Sequence, residues 1–405
     1  MIDFELDPGQ RNIQGMAQAF CKTVIRPRAL EFDEKYKVDS ALLKQLQGFA
    51  SGSGGVPREL GGEGGGLGET PDKKGVKQTN RITVLAGEEL GWADPGIMAN
   101  APGPGVGGPP LNLMGTPEQR KKYLSIFTGK EPKWGAYALT EPGCGSDAGA
   151  IQTTCRKDGD HYVLNGQKIF CSNGARAEWV VVFATLDKAL GKKGHRVFIV
   201  EKGAPGFSVV RIEKKMGLRA AETAALAFDE VRVHRDQLLG GEARYEGGTG
   251  AGFKVAMQTF DTTRFLIGVI AVGIGRAAYE LARDSAKELY LLNRPIARYE
   301  AIRSKLADME RKIGAARLLC WQAAWMADMG IPNTLESSMA KAYGAKIAKE
   351  CCREAMSLVG NHSTERKRFL EKAFRDVPIF DIFEGTGQIQ RLVISRKLMD
   401  GLEIQ

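Results

Sequence analysis

The sequence predicts an α+β chain with an N-terminal all-α domain, a middle antiparallel β-barrel-like domain and a C-terminal four-helix-bundle domain. Three observations support this fold class. Apolar residues recur every three to four positions in residues 1–133. Short β-like runs with turn dipeptides between them fill residues 134–244. The helical period then returns in residues 245–405, so the changes of period define the predicted domains.

The N-terminal domain is predicted to be helical with two loop-rich interruptions. Ile13, Met16 and Phe20 have amphipathic helical spacing. Residues 51–68 are rich in glycine and cannot form a regular helix, so we expect a flexible surface or lid loop. No G-K-[ST] sequence accompanies them to indicate a phosphate-binding loop. Residues 101–110 are rich in Pro and Gly, and Thr116 before Pro117 then predicts a helix N-terminus.

The middle domain is predicted from short runs rich in strand-forming residues. Asp158-Gly159 and Asn165-Gly166 are typical two-residue hairpin turns, which favour antiparallel neighbours. The predicted strands lie at residues 134–140, 152–156, 161–164, 179–186, 196–200, 207–212 and 224–233.

The C-terminal domain is predicted to be a bundle of long helices. Ile302, Leu306, Met309 and Ile313 begin an apolar seam that should end near Gly330, before Pro332. The preceding helix is rich in small residues, which predicts close packing against its neighbours. These residues are Gly268, Ala271, Gly273, Gly275, Ala277 and Ala278.

Composition narrows the function classes. The net charge of +9 is spread along the chain, and its longest basic runs, residues 120–122 and 366–368, favour a solvated surface or a phosphate-rich small ligand over a nucleic-acid groove. The absence of long apolar runs and of a signal-peptide pattern at the start predicts no membrane span. Seven scattered cysteines and four histidines without ligand spacing predict a reduced, cytoplasmic protein without a metal site.

A carboxylate near the C-terminus is the candidate for chemistry. Glu384 lies between Phe383 and Gly385, just before a helix-like run at residues 389–399. One interpretation is a capping charge that the helix dipole favours. The other is a general base facing a pocket, where Gly385 lets a ligand approach the backbone. This stretch alone leaves both interpretations open.

Four motifs, in order along the chain, carry a resemblance to the acyl-CoA dehydrogenase family. Residues 137–147 (Tyr-Ala-Leu-Thr-Glu-Pro-Gly-Cys-Gly-Ser-Asp) resemble its first signature, and residues 383–391 resemble the end of its second, with Phe for Tyr at the first position. Residues 165–174 and 260–264 match between them. The resemblance covers nearly the whole chain and implies the same helical, β, helical order.

The resemblance implies FAD-dependent α,β-dehydrogenation of an acyl-CoA thioester to the 2-enoyl-CoA. Glu384 would take the α-proton and flavin N5 the β-hydride. Burial against Phe380 and Phe383 should raise the pKa of Glu384 toward the working pH. The Glu384 backbone N–H would donate to the thioester oxygen. The expected partners are an acyl-CoA, an electron-transfer flavoprotein as electron acceptor, and further subunits in a homotetramer or hetero-oligomer that acts in fatty acid or carboxylic acid catabolism.

The resemblance also implies residues for each ligand. Phe170 would stack on the flavin ring and Ser172 would hydrogen-bond near N5, where the family more often has Trp and Thr. Thr386 alone could be an N-cap, and Arg264 alone a solvated helix charge. The implied FAD residues are Tyr137, Leu139, Thr140, Gly145, Ser146, Phe170, Cys171, Ser172, Thr386 and Gln388. The implied CoA-substrate residues are Ser146, Asp261, Arg264, Gly385 and Arg396.

Two stretches depart from the family pattern. Residues 289–293 lack the Arg of an Arg-x-x-Phe-Gly pattern that grips the flavin pyrophosphate of a neighbouring subunit, and residues 357–363 keep one glycine of a glycine-rich cofactor loop. Losing one charge-assisted contact would cost about 1.5–3 kcal/mol. The departures leave alternatives open: a lyase, isomerase or enoyl-CoA reductase on the same fold, or a flavin-poor binding subunit of a hetero-oligomer. Nucleic acid is an unfavoured ligand, since a pure binder needs no base at Glu384.

Overall fold

The computed structural model describes residue 2 and residues 4–51, 56–62, 75–365 and 369–400. Within these residues, helices, a curled sheet and helices follow one another in the predicted order. Most of the glycine-rich stretch predicted to be a loop or lid, and the basic run 366–368, lie outside the described residues.

The N-terminal part consists of short helices around a small apolar core that includes Ile25, Phe32 and Leu42. The predicted start at Thr116 is confirmed. Its hydroxyl accepts from the backbone N–H of Gln119 at 3.2 Å, as in a capping box. The helices are α1 (Pro8–Phe20), α2 (Ala29–Lys35), α3 (Ser40–Ser51), α4 (Thr79–Ala93), α5 (Pro95–Met98), α6 (Gly108–Met114) and α7 (Pro117–Leu124).

The middle part is a 7-stranded sheet. Its strands are β1 (Gly135–Ala138), β2 (Thr154–Asp158), β3 (His161–Ser172), β4 (Trp179–Thr185), β5 (His195–Glu201), β6 (Phe207–Ile212) and β7 (Thr223–His234). The antiparallel prediction is wrong in one respect, because β4 pairs parallel with β1 and, at Thr185, with β2. The turn dipeptides indicated antiparallel hairpins only, whereas parallel partners are joined by long connections that carry no local signal.

Of the two predicted hairpin turns, the structure confirms the first and contradicts the second. Asp158 pairs with His161 across Gly159 (φ +62°), which confirms the first turn. The second prediction is wrong, because Asn165 and Gly166 lie inside β3 at a shift of register against β7. A Cβ at Gly166 (φ +151°) would lie 2.5 Å from the Thr153 hydroxyl oxygen, so this glycine permits close strand contact and not a turn.

The C-terminal part is built on three long helices, α8 (Ala251–Glu288), α9 (Glu300–Asp328) and α10 (Thr334–Val359), followed by α11 (Phe369–Asp376) and α12 (Gly387–Met399). The predicted end near Gly330 (φ +69°) is confirmed. A short hairpin, β8 (Tyr290–Leu291) with β9 (Arg294–Pro295), joins α8 to α9. Helix α8 is long and apolar enough to cross a membrane, but 67% of its most apolar window is buried in the protein, so these residues form core.

Small residues let α8 approach two helices closely, as predicted. A Cβ at Gly268 would lie 2.8 Å from the Ala340 carbonyl oxygen of α10, and one at Gly344 would lie 2.6 Å from the Gly268 carbonyl oxygen. On the side of α4, a Cβ at Gly273 would lie 2.1 Å from the Glu88 carbonyl oxygen. Side chains larger than hydrogen at these positions would push the helices apart, and the site residues of α8 and α10 with them.

Candidate active site

Glu384 lies in the turn between a 3₁₀ segment, Val377–Asp381, and α12. Both Glu384 (φ +53°) and Gly385 (φ +89°) adopt left-handed backbone conformations, which are rare for a residue with a side chain. A Cβ at Gly385 would lie 2.6 Å from Nε2 of Gln390, so glycine is required there. That amide donates to the carbonyl oxygens of Glu384 and Gly385 at 3.2 and 3.1 Å. Gln390, for which no sequence pattern predicted a role, therefore holds the turn.

The Glu384 side chain is turned toward α8. The Thr263 hydroxyl donates a hydrogen bond to its Oε2. Burial raises the pKa of Glu384, while the Thr263 hydrogen bond and the charges of Lys341 and Arg264 lower it. The cap of α12 is Thr386, whose hydroxyl accepts from the Ile389 N–H at 3.2 Å. The capping interpretation thus belongs to Thr386, and Glu384 remains a partly buried carboxylate whose raised pKa is typical of a group that accepts or donates a proton.

Lys341 of α10 lies beneath the turn and was missed by the sequence analysis. Its side chain is fully buried. Its Nζ donates to the Gly385 carbonyl oxygen at 2.5 Å. Burial lowers the pKa of Lys341 to about 8, with the charges of Asp381 and Glu384 opposing the shift. The only sequence signal was a lysine among small residues in a helix, which by itself indicates nothing more than a tight contact.

Arg264 is 5% exposed and pairs with Asp261 one turn earlier on α8. The interpretation of Arg264 as a solvated charge is therefore wrong. Burial raises the pKa of Asp261, and the Arg264 charge lowers it. Among the described residues, no protein group accepts a hydrogen bond from Arg264 Nε, so this buried donor is open to a ligand. Arg396 is exposed on α12, and no hydrogen bond or ion pair in the described residues joins it to Asp261 or Arg264.

Tyr137 of β1 brings the sheet to the same region. Its ring packs against Phe183 at 5.0 Å and against Phe260 of α8 at 6.1 Å between centroids. Phe260 precedes Thr263 by about one helical turn. The Tyr137 hydroxyl is buried and has no hydrogen-bond partner within the described part of the chain. Burial and the charge of Glu384 raise its pKa well above the usual value.

The end of β3 presents an aromatic ring to solvent. Phe170 is 58% exposed and has φ +56°, within a shift of register between Lys168 and Cys171. Ser172 is exposed as well, whereas the Cys171 side chain is buried in the sheet core, so Cys171 can offer a ligand only its backbone.

The other implied cofactor residues are divided between core and surface. The Leu139 side chain is buried, and its carbonyl oxygen accepts from the buried Lys168 Nζ at 3.0 Å. The Thr140 carbonyl oxygen accepts from the Ile169 N–H at 2.9 Å. Gly145, Ser146 and Gln388 are exposed.

These features fit a ligand with a flat aromatic ring system and polar edges. An exposed aromatic ring held in a strained conformation offers a stacking surface. Exposed hydroxyls at Ser146 and Ser172 and a buried hydroxyl without a protein partner at Tyr137 offer hydrogen bonds at its rim.

The two departing stretches form compact local structures. Leu292 and Asn293 are the two turn residues of the β8–β9 hairpin, with φ of +49° and +60°, and Leu292 is 85% exposed. Arg294 lies over the Tyr299 ring at 4.7 Å. The second stretch ends α10 and continues into a 3₁₀ segment, Gly360–Thr364, where the Ser363 hydroxyl donates to the Gly360 carbonyl oxygen at 2.6 Å.

Comparison with protein families gives matches along nearly the whole chain. The models of the acyl-CoA dehydrogenase N-terminal, middle and C-terminal domains match residues 7–131, 136–231 and 250–399.

Curated relatives and solved structures agree with these matches. A short-chain specific acyl-CoA dehydrogenase of Clostridium acetobutylicum is 35% identical over 98% of this chain and 100% of its own. An acryloyl-CoA reductase (NADH) of Anaerotignum propionicum is 36% identical over 98% of this chain and 96% of its own. The structure of butyryl-CoA dehydrogenase from Megasphaera elsdenii has a TM-score of 0.86 at 32% identity, covering 98% of this chain and 100% of the other. A structure described as the electron transferring flavoprotein of Acidaminococcus fermentans has a TM-score of 0.86 at 36% identity, with the same coverage.

Proposed function

The chain belongs to the acyl-CoA dehydrogenase family, and we propose that it converts an acyl-CoA thioester to the 2-enoyl-CoA with Glu384 as the base. As a member of this family it is an enzyme, and its cofactor is FAD. One observation carries the proposal of the base. The Glu384 carboxylate is anchored by the Thr263 hydroxyl, and burial raises its pKa from the usual range of a glutamate.

The protein's part of the reaction begins with the α-proton. Glu384 would take it, and negative charge would develop on the thioester oxygen. Within the described residues, no protein acceptor binds the Glu384 backbone N–H, so it is available to donate to that oxygen. A donor fixed in advance stabilises developing charge at little reorganisation cost. Arg264, with its free Nε, would bind the CoA portion together with Asp261.

FAD, when bound, supplies the acceptor for the β-hydride. We propose that Phe170 and Ser172 hold its ring, because both are exposed at one end of β3. Tyr137 of β1, with Leu139 and Thr140 just after that strand, would form the adjoining wall, since the Thr140 carbonyl oxygen accepts from the Ile169 N–H next to Phe170. The remaining residues proposed to contact FAD are Gly145, Ser146, Cys171, Thr386 and Gln388.

The test of the base is a Glu384→Gln variant, which keeps the shape and removes the proton acceptor. With FAD bound, we expect anaerobic bleaching by a short-chain acyl-CoA to slow by about 10²–10⁴-fold, while FAD content stays at the wild-type level. Absorbance of the flavin near its visible maximum measures both. Equal bleaching rates in the variant and the wild type would contradict the assignment of Glu384.

Reduction of a 2-enoyl-CoA is the second candidate. Two relatives at 36% identity are named as reductases, the acryloyl-CoA reductase and a 3-(aryl)acrylate reductase of Clostridium sporogenes. In that direction a protonated Glu384, which a raised pKa favours, would give its proton to the α-carbon. Mass spectrometry of products from saturated and unsaturated acyl-CoA, each offered with an electron acceptor or donor, identifies the productive direction.

We further propose an electron-transfer flavoprotein as the redox partner and a cytoplasmic role in fatty acid or carboxylic acid catabolism. The similarity to the structure named as the electron transferring flavoprotein of Acidaminococcus fermentans supports this partner. A homotetramer or hetero-oligomer is the proposed assembly, and light scattering of the purified protein measures its mass.

A further inference from the structure

We propose that Lys341 is a positioning residue for the base, which fixes the Glu384–Gly385 turn through the Gly385 carbonyl and supplies a buried positive charge beside the carboxylate. The inference rests on the proposed function of Glu384 as the base. It concerns a residue that acts through another one and does not itself touch the reacting atoms.

The placement of Lys341 is enforced by helix packing. Gly268 of α8 and Gly344 of α10 face each other with no room for a Cβ, and a Cβ at Gly268 would also lie 3.2 Å from the Lys341 Cα. The lysine side chain therefore starts inside the contact between the two helices and is fully buried. It extends to the Glu384–Gly385 turn, where its Nζ donates to the Gly385 carbonyl oxygen at 2.5 Å.

Burying a lysine ammonium group costs free energy, and the contacts of Lys341 with the protein offset little of that cost. Within the described residues, its ammonium makes a single hydrogen bond to the protein, although it has three donors. A buried charge without full pairing destabilises the folded state unless a nearby group gains from it. The groups that gain are the carboxylates of Asp381 and Glu384, whose charges act on Lys341.

The hydrogen bond acts on the part of the backbone that aims the base. Two consecutive left-handed residues, Glu384 and Gly385, would relax to ordinary conformations if nothing held them. Gln390 of α12 holds both carbonyls from one direction, and Lys341 of α10 holds the second from another. Two helices thus fix the orientation of the Glu384 side chain and of its backbone N–H.

The effect of the Lys341 charge on the pKa of Glu384 can be separated from the effect of its hydrogen bond on the geometry of the turn. Arg264 on α8 and Lys341 on α10 both lower the pKa of Glu384, and Tyr137 on β1 senses its charge. Asp381, on the same segment as Glu384, acts on Lys341. Removing the Lys341 charge therefore leaves Arg264 as the remaining cation, and the pKa of Glu384 should rise.

The experiment compares three FAD-loaded variants with the wild type: Lys341→Met, which loses donor and charge, Lys341→Gln, which keeps a donor, and Lys341→Arg, which keeps the charge. Deuterium incorporation at the α-carbon of an acyl-CoA in D₂O reports the base step alone, and steady-state turnover across pH gives kcat and KM. We expect Lys341→Met to lower kcat by about ten- to hundredfold, with a small change in KM and with the rising limb of the pH profile moved up by about one unit.

The two conservative variants divide the effect. In Lys341→Arg the rising limb of the pH profile should stay at its wild-type position. In Lys341→Gln kcat should be higher than in Lys341→Met, but the limb should lie at the same raised pH as in Lys341→Met. Lys372→Met is the matched control, since this lysine is also fully buried but bonds to Asp94 and Asp376 and, within the described residues, not to the turn. It should lower stability and leave the limb unchanged.

Defined outcomes would overturn the inference. If Lys341→Met keeps the wild-type kcat and the wild-type position of the rising limb of the pH profile, and only its stability is lower, then Lys341 is a packing residue. If that variant does not fold, a wild-type profile in Lys341→Gln has the same meaning. Absence of α-deuterium exchange and of flavin bleaching in the wild-type enzyme would instead contradict the proposed function.

Discussion

At the scale of single residues, the chemistry depends on how Glu384 is held. Its left-handed backbone conformation directs the side chain toward α8 and leaves its N–H free of protein acceptors in the described residues. The neighbouring Thr386 caps α12, so the helix end needs no charge from Glu384. Burial and a limited set of donors together set the pKa of the carboxylate.

Thr263 offers a direct test of that balance. Its hydroxyl donates to Glu384 Oε2 and lowers the pKa of the carboxylate. In Thr263→Val the pKa should rise, and because the base must be ionised to accept a proton, the rising limb of kcat should move to higher pH. The shift should be about one to two units, since a hydrogen bond to a charged group contributes about 1.5–3 kcal/mol.

The control is Thr262→Val. The Thr262 hydroxyl donates to the Thr259 carbonyl oxygen at 2.7 Å within α8, so its loss should leave the limb in place. An unshifted limb in the Thr263 variant would show that the threonine does not set the ionisation of Glu384.

At the scale of elements, α8 is the central helix. It carries Asp261, Thr263 and Arg264, packs against α4 and α10, and bears the small residues that permit this packing. The placement of α8 relative to α10 and α12 determines which site residues come into contact. Packing errors in α8 should therefore affect both stability and the site.

A glycine substitution measures how tight this packing is. A Cβ in Gly273→Ala would meet the Glu88 backbone of α4, so we expect unfolding free energy to fall by about 1–3 kcal/mol. Gly314→Ala is the control, because a Cβ at Gly314 of α9 has nothing within 4 Å. It should stabilise the protein by about 0.8–1.0 kcal/mol, the helix propensity gain. Chemical unfolding of both variants measures these free energies. Equal changes in the two variants would mean that α4 moves to make room for the added methyl group.

At the scale of the whole molecule, a buried ion cluster joins the N-terminal helices to the C-terminal part. Lys372 of α11 lies 2.5 Å from Asp376 and 3.1 Å from Asp94, and all three side chains are almost fully buried. The Asp94 Oδ1 accepts from the Gly96 and Ile97 N–H groups at the start of α5. The Leu218 N–H of the segment after β6 also donates to Asp376, at 2.6 Å.

Removing the cation of this cluster should lower the free energy of unfolding. In Lys372→Met two buried carboxylates lose their cation, and we expect a loss of about 3–5 kcal/mol of unfolding free energy. Lys202→Met removes an exposed lysine 3.5 Å from Glu178 and should change stability by less than about 1 kcal/mol. Thermal unfolding followed by circular dichroism compares the two, and a small effect of the Lys372 variant would show that the cluster does not hold the domains together.

The sequence by itself determined the order of the helical and β regions, the close packing of α8 and the identity of Glu384 as the candidate base, because these follow from local periodicity and short motifs. It could not show the parallel neighbours of β4, the core position of Cys171 or the roles of Thr263 and Lys341. The bonds from Thr263 to Glu384 and from Lys341 to Gly385 span 121 and 44 residues of chain. Such contacts exist only once helices pack, and the burial that shifts the pKa of Glu384 and Lys341 arises from the same packing, so only the tertiary structure decided how the base is held and charged.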